Sequence, residues 1–349
     1  MSLPVLIYNL LMTAADAAAL SWLGRRKTAA TLLRLGMLES LAALALAGAL
    51  GNGFFGTAGL LAYALFVHAV VFLVGAAAVL RRESPRTALS AMLLALVLAL
   101  VAGDAFFIEP QWLEVSHLRL STAKLSRPVR IAVVADLQTD AFGSHEREAL
   151  RRVVEEKPDL ILLAGDYVQA ESPRREEIQG EIAEYLRQIG FAAPLGVFAV
   201  QGNCDGGPWQ QAFAGLSVTA VDWTHSLKVG ELELTCLSFR DSFDDKLTIP
   251  AADPSRYHVV LGHSPNYALG RVDADLLIAG HTHGGQVRLP WLGPLVTLSR
   301  VPRSWAAGLT ELPGGANLLV SRGIGMERGP APRLRFLCRP ELVFIDLEP

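Results

Sequence analysis

Asp159-Leu-Ile-Leu-Leu-Ala-Gly-Asp166 is an apolar run that stops abruptly on a glycine and a carboxylate. A short run of this kind, closed by turn residues, has the pattern of a strand buried on both faces, and such strands belong to parallel sheets. The pattern recurs along the chain. Arg130–Ala135 leads into Asp136-Leu137-Gln138, and Gly196–Val200 into Gly202-Asn203-Cys204-Asp205. Tyr257–Leu261 leads into Gly262-His263, and Asp275–Ala279 into Gly280-His281-Thr282-His283. Charged, helix-forming stretches at Glu146–Glu156 and Arg174–Ile189 lie between the first three runs. Strand alternating with helix predicts a layered α/β domain. Further strands are expected at Trp112–Leu120, Glu231–Ser238, Asn317–Ser321 and Leu342–Ile345. So many late strands with few helices predict a second sheet packed on the first.

The region before Ile108 is of another kind. Of the 349 residues, 51% are hydrophobic and 19% charged, and the charges are sparse up to about Ala105. Four apolar stretches, Pro4–Leu23, Met37–Phe55, Ala58–Leu80 and Ala88–Phe107, are near the ~20 residues a helix needs to cross a bilayer. The first is interrupted and has no basic n-region, unlike a cleaved signal peptide. The chain therefore divides into a transmembrane region, 1–107, and a globular domain, 108–349. Asp16, Glu39 and His68 lie inside the apolar stretches, where charge is costly. They read either as groups paired within the bundle or as a relay.

Basic residues set the expected orientation. Arg25, Arg26, Lys27 and Arg34 fall between the first two stretches and Arg81, Arg82 and Arg86 between the last two, whereas Gly51–Thr57 carries no charge. The positive-inside rule puts both basic connections in the cytoplasm. The globular domain is then extracytoplasmic, on the outer face of a bacterial inner membrane. Net charge is −3, which speaks against a nucleic-acid partner. Cys204, Cys236 and Cys338 show neither zinc-ribbon nor disulfide-framework spacing.

Each polar cluster at a strand end is weak evidence by itself, since Gly-Asp after a strand is commonly a turn. Together they place carboxylate, amide oxygen and imidazole at the carboxyl edge of a sheet, where α/β folds bind ligands. That donor set suits a divalent ion of the Mn, Fe or Zn type rather than a thiolate-bound metal.

The order Asp-x-Gln, Gly-Asp, Gly-Asn-Cys-Asp, Gly-His, Gly-His-x-His resembles the calcineurin-like metallophosphoesterases. The tail Gly284-Gly285-Gln286, Ser321-Arg322-Gly323 and Arg339-Pro340-Glu341 resembles their membrane-associated branch typified by YkuE and YaeI. The resemblance implies a four-layer sandwich, two β-sheets flanked by helices, and a metal-dependent phosphoric ester hydrolase. It assigns Asp136, Asp166 and His283 to one ion, and Asp166, Asn203, His263 and His281 to the other, with Asp166 as the bridge. It also implies two departures. Gln138 stands where the family has a histidine ligand, with His145 nearby as a substitute. Cys204 stands where the family has a histidine that protonates the leaving group, and a thiol of pKa ~8.5 is a poor acid for that task. Catalysis is expected to rest on Asp166, Asn203 and Cys204.

The expected substrate is a phosphodiester, phosphomonoester or pyrophosphate, with the membrane region pointing to a lipid-linked one. The alternative is a metal-binding domain of this family with little catalysis, serving an interaction or sensing role.

Overall fold

The computed structural model describes residues 2–250 and 253–349. They form two compact units, Met1–Phe107 with Gly329–Arg333, and Ile108–Arg328 with Leu334–Pro349.

The first unit contains helices α1 (Leu3–Arg26), α2 (Ala29–Leu50), α3 (Gly53–Leu80) and α4 (Pro85–Gly103). All four are long and apolar enough to cross a membrane. The second crossing differs from the sequence expectation of Met37–Phe55. Thr28 caps α2 by accepting the Thr31 N–H, so the helix starts at Ala29 and carries Arg34 within it. The uncharged connection shrinks to Gly51 and Asn52. Lys27 and Glu83 form an ion pair of 2.5 Å, which places the two basic connections at the same end of the bundle. Asp16 and His68 pair at 2.7 Å, and the other His68 nitrogen lies 3.0 Å from Asn9 Oδ1. Two of the polar groups within these apolar helices thus pair with each other.

The second unit is a two-sheet sandwich. The strands are β1 (Glu114–Ser121), β2 (Val129–Val134), β3 (Leu160–Leu163), β4 (Val197–Val200), β5 (Val218–Val221), β6 (His225–Val229), β7 (Leu232–Cys236), β8 (Tyr257–Leu261), β9 (Leu276–Ala279), β10 (Gly308–Glu311), β11 (Asn317–Val320) and β12 (Glu341–Glu348). One sheet has the order β1-β12-β2-β3-β4-β5 and the other β10-β11-β9-β8-β7-β6. In the first sheet β2 to β5 run parallel, and in the second so do β7, β8, β9 and β11.

Alternation along each strand builds the layers. Ile131 and Val133 of β2 face the inter-sheet core with Leu160, Leu162, Leu234, Val259, Leu261 and Ile278. Ala132 and Val134 face outward onto helices α5 (Ser144–Glu155) and α6 (Arg174–Gln188) through Leu150, Val153, Ile178 and Ile182. The outer face of the second sheet is covered by the 3₁₀ turn Pro265–Leu269, whose Tyr267 is wholly buried, and by Trp305. Both faces of the central strands are dry, which is why their sequences are continuous apolar runs. Three strands lay outside the sequence expectation. All three, β5, β6 and β10, sit at sheet edges and have half-exposed patterns with mixed polarity.

Candidate metal centre

Because the central strands of each sheet are parallel, their carboxyl ends lie along one rim per sheet, and the two rims meet. Asp136 and Gln138 follow β2, Asp166 follows β3, Asn203 to Asp205 follow β4, His263 follows β8, and His281 and His283 follow β9. The loops interlock through backbone bonds. The Asp136 and Gln138 N–H groups donate to the Gly165 and Asp166 carbonyls, and the Gly280 N–H donates to the His263 carbonyl. Asp136 accepts the His281 N–H at 3.0 Å and so links the two rims.

The rim is conformationally expensive. Asp136, Gln138, Asp166, His281 and His283 have φ of 48°, 32°, 55°, 70° and 49°. A non-glycine residue in this region costs roughly 1–3 kcal/mol, and such outliers cluster where function demands them. Asp205 holds part of the strain. Its Oδ2 accepts the N–H groups of Asp166 (2.8 Å) and Gly202 (2.9 Å), and its Oδ1 accepts that of Tyr167 (2.7 Å). Gly202 is required for the same approach, because a Cβ there would lie 2.1 Å from Asp166 Oδ1.

Ligand atoms converge on one point of the rim. His263 Nδ1 faces the Ala164 carbonyl at 2.8 Å and therefore carries the hydrogen, leaving Nε2 as a lone pair. That lone pair faces Asn203 Oδ1 at 2.9 Å and Asp166 Oδ2 at 3.4 Å. The Asn203 amide nitrogen is turned to Cys204 Sγ, which fixes its oxygen toward His263. His281 Nε2 donates to the Leu298 carbonyl at 3.3 Å, leaving Nδ1 available. Ligand atoms of Asp166, His263 and His281 lie within 4.8 Å of one another, close enough to share one ion. His283 Nδ1 and Gln138 Oε1 are buried without a hydrogen-bond partner. Buried polar atoms left without partners in the rim loops are what a second cation would satisfy. The residues therefore fit a pair of divalent ions.

Electrostatics point the same way. Burial, then the Asp166 charge, raises the Asp136 carboxyl well above its usual range. Burial pushes Asp166 up to about 7. Burial likewise lowers His263 to about 4 and His281 to about 3, so both imidazoles are neutral at pH 7. Buried carboxyl groups raised by desolvation and mutual repulsion, beside neutral imidazoles, are what a divalent ion stabilises.

Two sequence expectations are refined. His145 does not substitute for the missing histidine, because its Nε2 contacts the Ile324 carbonyl at 3.0 Å from the start of α5. Gln138 is held differently from a histidine. Its Nε2 lies 2.8 Å from Gln169 Oε1, 3.2 Å from Glu327 Oε2 and 3.3 Å from Cys204 Sγ, so its oxygen is the free end. Burial and the Asp166 charge drive the Cys204 thiol far up, so it stays protonated.

Sequence reasoning missed Gln169, Glu327 and Arg335. Gln286 Oε1 accepts the Glu327 N–H, giving the Gly-Gly-Gln motif a role in the network. Arg335 is wholly buried and donates to the carbonyls of Arg322, Gly323, Gly325 and Cys338, which ties down the loop beneath Asp136. Arg322 pairs with Glu341 at 3.1 Å, joining the two remaining tail motifs.

Residues 129–285 match the Calcineurin-like phosphoesterase family, the segment that carries every one of these rim ligands. That segment is a calcineurin-like phosphoesterase domain. It is similar to the uncharacterized metallophosphoesterase YkuE of Bacillus subtilis, at 27% identity over 276 residues, 72% of this chain and 92% of that protein. It is similar to phosphodiesterase YaeI of Escherichia coli, at 29% identity over 260 residues, 70% of this chain and 92% of that protein. UDP-2,3-diacylglucosamine pyrophosphatase LpxG of Chlamydia trachomatis is 24% identical over 314 residues, 67% of this chain and 89% of its own length. Carrying a calcineurin-like phosphoesterase domain, the chain is a metal-dependent phosphoester hydrolase, and the rim between the two sheets is its candidate active site.

Proposed function

We propose that the chain is a membrane-anchored phosphoesterase that holds two divalent ions (Mn, Fe or Zn) and cleaves a phosphodiester, phosphomonoester or pyrophosphate bond of a lipid-linked substrate. The observation that carries the metal reading is the convergence of His263 Nε2, Asn203 Oδ1 and Asp166 Oδ2, with the His263 hydrogen held at Nδ1 by the Ala164 carbonyl. Asp166, His263, His281 and Asn203 would hold one ion, and Asp136, His283, Gln138 Oε1 and the shared Asp166 the other. A pair of ions so held polarises phosphoryl oxygens and lowers the pKa of an attacking water.

The protein's own groups shape which bond breaks. Asn203 is exposed and Cys204 half-buried, so this side of the rim is where substrate enters. Cys204 offers a thiol that holds its proton, so the leaving group receives little help from position 204. Substrates whose leaving groups depart without protonation are therefore favoured. A pyrophosphate or an acidic alcohol fits that requirement better than a simple alkyl ester. One relative is named as a phosphodiesterase and another as a UDP-2,3-diacylglucosamine pyrophosphatase, and the second name is of the pyrophosphate class. The four apolar helices support a lipid-linked substrate. The basic connections support a domain outside the cytoplasm of a bacterial inner membrane, where a phospholipid head group or polyprenyl phosphate suits the site.

The test is metal analysis of the purified full chain after incubation with Mn, paired with hydrolysis of an aryl phosphodiester. Two ions per chain and turnover are expected, and Asp166→Asn should lower metal at both positions and abolish turnover. One ion or none, together with no turnover, rejects the reading.

A further inference from the structure

Between Arg288 and Arg300 the chain holds no charged residue. Arg288–Leu289 pairs antiparallel with Gly293–Pro294, making a small hairpin with Pro290, Trp291 and Leu292 at its tip. Trp291 is fully exposed (104%) and has a left-handed φ of 62°. Leu292 and Leu298 are more than half exposed, and Leu289, Leu295 and Val296 are also exposed. A bulky aromatic held outward in a costly backbone conformation is neither core nor ordinary surface. Trp223 and Leu309, elsewhere in this unit, are exposed apolar side chains outside any such uncharged apolar run.

The hairpin is built onto the candidate metal centre. Gly285 has φ of 84°, and a Cβ there would lie 2.3 Å from Pro294 Cβ, so glycine is needed for the hairpin to fold back. Arg288 donates to the Gly284 carbonyl, and the Leu298 carbonyl accepts from His281 Nε2.

We infer that this hairpin docks into a bilayer interface, Trp291 foremost, and holds the adjoining site at the lipid–water boundary. An uncharged apolar tip led by tryptophan matches the interface, where indole rings settle. A narrow projecting tip is a poor match for another protein, whose stable interfaces take ~800 Å² per partner. The same chain also carries four helices able to span a membrane, so a bilayer is at hand. Docking implies that the substrate presents its phosphoester at a lipid headgroup. This last clause rests on the phosphoesterase reading, whereas the docking itself does not.

The full chain carrying Leu292→Cys, labelled with an environment-sensitive fluorophore, is reconstituted singly into nanodiscs of phosphatidylcholine and phosphatidylglycerol. Trp223→Cys, on an exposed apolar position outside that run, is the comparison, and the unsubstituted chain measures background labelling of Cys204. The label at 292 should shift to the blue, be quenched by spin-labelled lipid and be shielded from aqueous iodide, while the label at 223 shows the reverse. Equal iodide quenching at both positions, or shielding at 292 that appears only when two copies share a disc, overturns the proposal. Trp291→Ser should keep aryl phosphodiester turnover and lose turnover of a lipid phosphodiester. If the label inserts but Trp291→Ser processes both substrates as the parent does, the lipid-substrate clause is overturned. If no substrate is turned over by the parent, the phosphoesterase reading fails while the fluorescence result still decides the docking.

Discussion

Asp205→Asn tests whether the strained rim is held by a single carboxylate. Asp205 receives three close buried backbone N–H groups, two on Oδ2 and one on Oδ1, and a longer one from Val168 on Oδ1 at 3.5 Å. Asparagine has one acceptor oxygen, which can be turned to the Asp166 and Gly202 donors. Its NH₂ then faces the Tyr167 N–H, leaving a buried donor unpaired at a cost of ~1–3 kcal/mol. One term opposes this. Burial and the Asp166 charge raise Asp205 to about 7, so removing its charge relieves part of the burden. The net loss is therefore placed at the lower end, ~1–2 kcal/mol, or a fall of roughly 2–8 °C for a domain of this size. Asp205→Ala orphans all three donors and should cost about three times as much, a large share of the 5–15 kcal/mol that keeps a typical domain folded. Calorimetry of the detergent-solubilised chain with and without Mn reads the stability, and metal analysis reads the site. Because the clamp fixes Asp166 at its positive φ, Asp205→Asn should also lose metal. Unchanged melting and full metal content in Asp205→Asn would refute the clamp.

Metal affinity should fall as pH drops through about 7. A proton must leave Asp166, raised to about 7, before a cation is held there, and His263 and His281 stay neutral down to about 4 and 3. Metal content measured between pH 8 and 5 should follow the carboxylate, and retention to below pH 5 would contradict this. Gln138→His should tighten one metal position, since imidazole is the stronger donor, and calorimetric Mn titration reads the change. Cys204→His should leave metal content alone and raise turnover of alkyl esters by about 10²–10⁴-fold, with little change for aryl esters. Equal gains on both ester classes would remove the assigned role of position 204. A phosphatase reporter fused at the C-terminus should be active and a cytoplasm-only fluorescent reporter dark, and the reverse pair of results would place the domain inside.

Local pattern carried the strands and the rim. Leu160–Leu163 and Leu276–Ala279 are buried on both faces, so burial alone dictates an apolar run, and Asp166 and His281 follow directly where the apolar demand stops. Edge strands such as β6 and β10 bury one face only, and their mixed composition hides them. The start of α2 was hidden for a related reason, since Arg34 breaks the hydropathy signal without breaking the helix. The contents of the rim needed tertiary structure. His263 owes its tautomer to the Ala164 carbonyl, 99 positions away in sequence. Gln138 owes its free oxygen to Gln169, Cys204 and Glu327, the last 189 positions away. Nor does Leu289–Leu298 announce its exposure, since the same apolar letters would serve a buried strand. Sequence by itself determined which groups stand at the strand ends, because burial periodicity is a local constraint. Only the packing of one sheet on the other decided which lone pairs face each other and which apolar residues face water, because those depend on contacts between segments far apart along the chain.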